Sequence, residues 1–253
     1  MHFESPNSSL PIARLFGEEC MDSRITAMFE QADRALQQPG RNLSIHPFVQ
    51  GVANGTLSRE QIRVWAEQTY LYVEAVVPWI GVAYGNCDNP EARSHIWDSL
   101  LEEATGQLSG TKPHPELMAD FAEAMGSQRA KLSSNEPLPG TRAMLNHWEV
   151  SLCHRHWTEG LAGMGYGGER QIPVTFRKVS DGLKNHYGVD DKARLFFEMH
   201  IKADEEHGDE SQKVVAIGNP SDAGLRRVYN TILGTAEALW TCWMAFDSVS
   251  AKR

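Results

Sequence analysis

Sulfur is scarce in this chain. Four cysteines, Cys20, Cys87, Cys153 and Cys242, are scattered over 253 residues and form no CxxC pair or finger-like spacing. That excludes structural zinc on thiolates and a disulfide framework, and leads us to expect free thiols in a reduced, cytoplasmic protein. Long apolar runs are missing as well: none approaches the ~18 residues needed to cross a bilayer. The stretch from Met1 to Phe16 lacks the basic and apolar regions of a secretion signal. Positive charge is in deficit, with 24 Lys and Arg against 33 Asp and Glu for a net charge of −9, and no basic stripe runs along a candidate helix. Nucleic acid and anionic membranes are therefore not expected partners. Strand-like alternation is almost absent, which leaves an all-α chain.

What remains is a succession of helical patterns. Ile25 to Leu36 is amphipathic and closes at Pro39-Gly40. Leu43 to Ala53 is short, and Ser58-Arg59-Glu60-Gln61 has the form of a capping box that starts a long aromatic helix reaching about Ala83, with Pro78 expected to bend it. Further helices are read from Pro90 to about Glu103, from Pro115 to near Gly126, from Thr141 to Met164, from Glu169 to His186, from Asp190 to Ile217 and from Ser221 to Ser248. The loop Gly106 to Pro113 and the polar connector Lys131 to Gly140 separate three of them. We expect residues 1–19 to be a flexible N-terminal segment and residues 20–253 to form one irregular bundle of about seven or eight helices, long enough to enclose a pocket.

The most informative stretch is Phe197-Glu198-Met199-His200-Ile201-Lys202-Ala203-Asp204-Glu205-Glu206-His207. At ~100° per residue, His200, Asp204 and His207 fall at about 0°, 40° and −20° on a helix, so all three project to one side. Phe196, Phe197 and Ala203 lie near that side, whereas Lys202, Glu205 and Asp209 lie opposite, which places the trio toward the core. Nitrogen and oxygen donors without sulfur suit iron, manganese or zinc. A solvated acidic face is the competing explanation for the same residues.

Three other features resemble a known superfamily. His46-Pro47-Phe48-Val49, Gly55-Thr56-Leu57-Ser58 and Gln68-Thr69-Tyr70-Leu71-Tyr72 are similar to the opening helices of the proteins that include the thiaminase TenA and pyrroloquinoline-quinone synthase, whose fold is that of haem oxygenase. Glu103, His114 in His114-Pro115-Glu116-Leu117, Glu169 followed by Pro173, and then His200, Asp204 and His207 resemble the ligand pattern of the diiron oxidases and oxygenases within that superfamily. The interval of 31 residues from Glu169 to His200, followed by steps of four and three, is the specific part of the match.

The resemblance implies an Fe(II)- and O2-dependent oxidoreductase that binds two ferrous ions through Glu103, His114, Glu169, His200, Asp204 and His207, with dioxygen as co-substrate. Two ferrous ions carry four positive charges, which three carboxylates do not balance, so Glu74 is a candidate seventh ligand. Glu102 rivals Glu103, because neighbouring helical positions differ by ~100° and only one is expected to point inward. The expected substrate is a small metabolite of secondary metabolism, an amino acid or a similar carboxylated molecule, undergoing desaturation, C–C cleavage or N-oxygenation. A homodimer and an external electron donor complete the expectation. Two alternatives stand beside it: a medium-chain fatty-acid oxidase of the same branch, and a metal-free TenA-like hydrolase with Cys153 as nucleophile and His154 or Glu149 as base. His147, His154 and His156 are read as helix-contact residues. Trp65, Tyr70, Tyr72, Trp79, Trp240 and Trp243 are read as pocket or core residues, with core the commoner role. Arg177 and Lys178 are candidates for a substrate carboxylate or for a solvated helix surface.

Overall fold

The computed structural model describes residues 22–207 and 210–247, with the side chains of residues 203–207 and 247 outside the description. Its first helix, α1 (Ser23–Leu36), is capped by the Asp22 carboxylate on the Arg24 amide and buries Ile25, Met28, Phe29, Ala32 and Leu36. That apolar stripe at helical spacing packs on the last helix, α11 (Asp222–Asp247), through Val228, Ile232 and Ala236. A 3-10 turn, Leu43–Ile45, leads into α2 (Pro47–Ala53), which the His46 imidazole caps on the Phe48 amide.

The capping box at Ser58 and Gln61 is present and opens α3 (Arg59–Asn86), which runs on through Pro78 as one element. Next come α4 (Pro90–Thr105), stopped by the left-handed Gly106, and α5 (His114–Ala124). Gly106 has φ +65, and a Cβ there would lie 2.3 Å from the Lys112 carbonyl oxygen, so only glycine lets the 106–113 loop close on itself.

In place of one long helix from Thr141 to Met164, the chain makes α6 (Pro139–His154) and α7 (Trp157–Ala162). The break falls at Arg155 and His156, where extended backbone and the His156 side chain, accepting from the Thr158 amide, start a new helix. Beyond it, Gly163–Gly168 winds as a π-helical segment and Glu169–Gln171 as a 3-10 turn before α8 (Ile172–Tyr187). Of the expected helix from Asp190 to Ile217, the described parts are α9 (Leu195–His207) and α10 (Glu210–Gly218), with residues 208 and 209 outside the description. Among the described residues there are eleven α-helical elements, more than the seven or eight expected; one source of the difference is the break at Arg155 and His156.

The core is aromatic and centred on Trp65, which is fully buried. Phe197 stacks on its ring at 5.6 Å, while Phe48, Phe121 and Trp243 meet it in tilted or edge contacts at 5.2, 5.7 and 5.8 Å. These rings come from α2, α3, α5, α9 and α11, so a single residue ties five helices together. Tyr72 and Trp243 also belong to this core, and Trp243 Nε1 lies 3.4 Å from the Tyr72 hydroxyl. The Trp65 indole N–H has no hydrogen-bond partner. Replacing Trp65 by Ala is expected to cost about 3–5 kcal/mol in denaturant unfolding. Trp65→Phe is expected to cost clearly less, since it retains a ring and removes an unsatisfied donor.

Candidate metal centre

The geometry begins at the end of α4. Glu102 and Glu103 occupy its last turn, the Gly106 turn reverses the chain, and His114 is the first residue of α5, behind Pro113. His114 is thus carried back beside the two carboxylates, and both reach it. Glu103 Oε2 lies 2.7 Å from His114 Nδ1 and Glu102 Oε1 lies 3.3 Å from Nε2. The expectation that only one of the pair points inward is corrected. A ring standing over the helix end offers one nitrogen to each side chain, and each Glu is long enough to span its ~100° offset. Glu102 Oε2 also accepts the amides of Leu108 and Ser109, which fastens the loop to the helix.

On α9, His200 brings a second imidazole, its ring centroid 4.6 Å from that of His114. Its Nδ1–H donates to the Phe196 carbonyl at 2.7 Å, which leaves Nε2 with a lone pair. Burial and the neighbouring His114 push the His200 pKa down to about 4, so the ring is neutral at physiological pH. One ligand atom from each of Glu103, His114 and His200 lies within 4.8 Å of the others.

The fit of a cation can be read at His114. With the Nε2 proton directed at Glu102, the Nδ1 lone pair faces a carboxylate oxygen, and among the described residues Nδ1 has no aligned hydrogen-bond partner. Two electron-rich atoms held together in a buried place call for positive charge between them. The same demand shows in its titration. Burial pulls the His114 pKa down, yet the Glu103 charge and the contacts with both carboxylates outweigh it and raise the value. His46 makes a useful contrast, since its two ring nitrogens meet the Phe48 amide and the Trp240 carbonyl.

Glu169 follows the π-helical segment and borders the same cavity, a partly open cleft of about 830 Å³. Burial and repulsion from Glu103 push its pKa up to about 7, although His114 acts the other way. The remaining lining is mixed: Ile96, Leu161, Met164, Met199 and Val214 give buried apolar surface, His95, Asp98, Ser99, Arg170, Glu198 and Lys202 add polar and charged groups, and Leu108 and Leu195 are exposed side chains on its boundary. Of the remaining sequence candidates, Asp204 and His207 lie on α9, so the four-then-three step is helical, but their side chains fall outside the described residues. Glu74 is not brought to this cluster: its carboxylate accepts from Tyr70 at 2.8 Å and from Ser133 at 2.9 Å.

The aromatic residues named as pocket candidates do not border the cavity, whereas α10 residues Glu210, Ser211 and Val214 do. Sequence reading did not name these, because no local pattern says which face of that segment meets the cavity. His147 and His156 bond to Thr235 and Thr158, as expected of helix contacts, and Lys178 donates to the Ser44 carbonyl. Cys153 lies at a separate small surface pocket with His154 and His156. Burial and the Glu149 charge push its thiol pKa up, the opposite of what a thiolate nucleophile needs.

A profile of the family described as iron-containing redox enzyme matches residues 63–239. Among curated proteins, the chain is 26% identical over 228 residues to the 4-aminobenzoate synthase of Chlamydia pneumoniae, covering 88% of this chain and 95% of the relative. It is 27% identical over 184 residues to the pyrroloquinoline-quinone synthase of Pseudomonas aeruginosa, covering 70% and 71%. Among solved structures, a TenA homologue from Pseudomonas syringae superposes with a TM-score of 0.74 at 12% identity, covering 90% of this chain and 94% of the other. A Shewanella denitrificans domain with a haem-oxygenase-like fold gives 0.64 at 16%, covering 91% and 94%.

A carboxyl whose folded pKa exceeds its unfolded value binds its proton more tightly when folded. Stability from Glu169 is therefore fully present below its ordinary pKa of 4.5 and is lost as pH rises through about 7. Metal-free protein in chelator is expected to lose stability across that window, and Glu169→Gln to flatten this part of the profile. Thermal melts from pH 5 to 8 measure it; an unchanged slope in the variant would count against a buried, repelled carboxylate.

Proposed function

We propose, from the premise that this chain belongs to the family of iron-containing redox enzymes, that it is a diiron oxidase or oxygenase acting with dioxygen on a small carboxylated metabolite such as an amino acid. The observation that carries the reading is the buried His114 nitrogen facing the Glu103 carboxylate beside a neutral His200, all on one cavity. In this reading Glu103, His114, Glu169, His200, Asp204 and His207 would hold the two irons. Bound iron would supply the one-electron steps and the reduction of dioxygen that protein side chains do not provide.

The chain's own residues have distinct tasks. The Phe196 carbonyl holds the proton of His200 at Nδ1 and so keeps Nε2 free. Glu102, through the loop amides, keeps His114 over the end of α4. Glu169, with its pKa near 7, can keep or release a proton at its carboxyl group near neutral pH. The apolar patch of Ile96, Leu161, Met164, Met199 and Val214 suits the apolar part of a substrate, and the charged groups on the same cavity, Arg170 and Lys202 among them, suit a polar or carboxylated part. The relatives named 4-aminobenzoate synthase carry an aromatic carboxylate in their name, which supports a carboxylated small molecule here. A homodimer, an external electron donor and a cytoplasmic setting belong to the same reading, the last supported by the free thiols of Cys87, Cys153 and Cys242.

Anaerobic titration with ferrous iron, followed by Mössbauer spectroscopy, is expected to find two ferrous ions per chain, and admission of oxygen should be followed by uptake on an oxygen electrode. His200→Ala and Glu169→Ala are expected to lose at least one iron and the oxygen uptake, while Cys153→Ala keeps both. Wild-type protein that binds no iron, or oxygen uptake that survives His200→Ala but vanishes in Cys153→Ala, would overturn the reading.

A further inference from the structure

Glu169 stands where the backbone is least regular. Gly163–Gly168 is π-helical and Glu169–Gln171 is 3-10, two geometries with poorer hydrogen bonding than an α-helix, so tertiary contacts must hold them. The glycines make the contacts close: a Cβ on Gly167 would lie 2.4 Å from the Ile232 carbonyl oxygen of α11. On the far side of the segment, the fully buried Tyr166 packs on Phe29 at 4.5 Å and donates its hydroxyl to Asp33 Oδ1 at 2.8 Å. Arg170 Nε reaches that oxygen at 3.2 Å, Nη2 reaches Oδ2 at 3.5 Å, and the guanidinium sits 4.5 Å over the Tyr166 ring. Gln171 closes the other flank, donating to the Gly167 carbonyl and accepting the Leu43 amide, both at 2.9 Å.

We infer that Asp33, Tyr166 and Arg170 form a latch that positions Glu169 toward the iron site, an inference that rests on the iron-binding reading above. Tyr166 and Arg170 bracket Glu169 in sequence and Asp33 binds both of them to α1, while none of the three belongs to the Glu103, His114 and His200 cluster. One carboxylate on α1 thereby fixes the phase of a segment that would otherwise relax. Each residue of slippage toward regular α-helix turns Glu169 by ~100° about the helix axis, enough to withdraw it from the cavity. These are positioning residues in the sense that the partners around a metal ligand orient it, and their loss typically costs 10–100-fold in metal affinity.

The test is anaerobic equilibrium dialysis against ferrous iron with Mössbauer spectra of the loaded protein, applied to wild type, Tyr166→Phe, Asp33→Asn, Glu169→Ala and Val228→Ala. Val228 is a fully buried residue of the same packed cluster as Tyr166 and serves as a control for lost stability alone. Tyr166→Phe and Asp33→Asn are expected to weaken one of the two irons by about tenfold or more and to alter its quadrupole doublet, as Glu169→Ala does. Val228→Ala is expected to lower the melting temperature and leave both irons unchanged. Latch variants with wild-type affinity and spectra would overturn the inference, and so would a Val228→Ala protein that loses iron equally. Wild type and Glu169→Ala binding iron alike would instead strike the underlying reading, and that result is separable because it does not involve the latch variants.

Discussion

A buried imidazole nitrogen and a carboxylate oxygen, 2.7 Å apart and, among the described residues, without an aligned hydrogen bond, impose the central constraint on this molecule. Such a pair is costly in an apolar interior unless positive charge joins it. Burial pulls the His114 pKa down, and the Glu103 charge with the contacts to both carboxylates outweighs it and raises the value. The surrounding architecture holds that arrangement in place. Gly106 turns the chain, Glu102 ties the loop, and Phe196 locks the His200 tautomer. Burial, with repulsion from Glu103, then raises the pKa of Glu169, so the charge states of these neighbouring groups are linked.

The aromatic core and the candidate centre are joined through α9. Phe197 stacks on Trp65 while Phe196 lies against His200, with ring centroids 4.4 Å apart, so adjacent residues of one helix serve the core and the candidate site. Packing at Trp65 thereby sets where His200 stands. Arg194, almost fully buried, supports the start of the same helix by bonding the Val189 carbonyl, Ser180 and Glu198. The backbone around the candidate site is regular α-helix at Glu103, His114 and His200 on α4, α5 and α9, and irregular at Glu169, and this difference locates the position in greatest need of outside support.

The chain shares its helical fold with TenA homologues at identities too low to carry function, and its family with iron-containing redox enzymes. The side chains separate these two relationships. A TenA-like thiol chemistry would need an acidic Cys153, yet that thiol is pushed up by burial and Glu149. The carboxylate and imidazole cluster lies elsewhere, on the large cavity between α4, α9 and α10.

Much of this was legible before any coordinates. Helical spacing identified α1, the capping box identified the start of α3, and Asn89-Pro90 identified the start of α4, because each is a local interaction encoded within a few residues. The resemblance named Glu103, His114, Glu169 and His200, and the tertiary structure gathers Glu103, His114 and His200 into one cluster and sets Glu169 on the same cavity. What local pattern did not disclose was the break at Arg155 and His156, the π-helical turn before Glu169, the engagement of both Glu102 and Glu103 with one ring, and the link from Asp33 to Tyr166 and Arg170 across more than a hundred residues. Periodicity by itself determined which residues are helical and which face is apolar, since both follow from 3.6 residues per turn. Only the packed structure decided how the ends of those helices meet, because a long side chain, a turn and a distant carboxylate choose partners by distance in space and not by spacing in the chain.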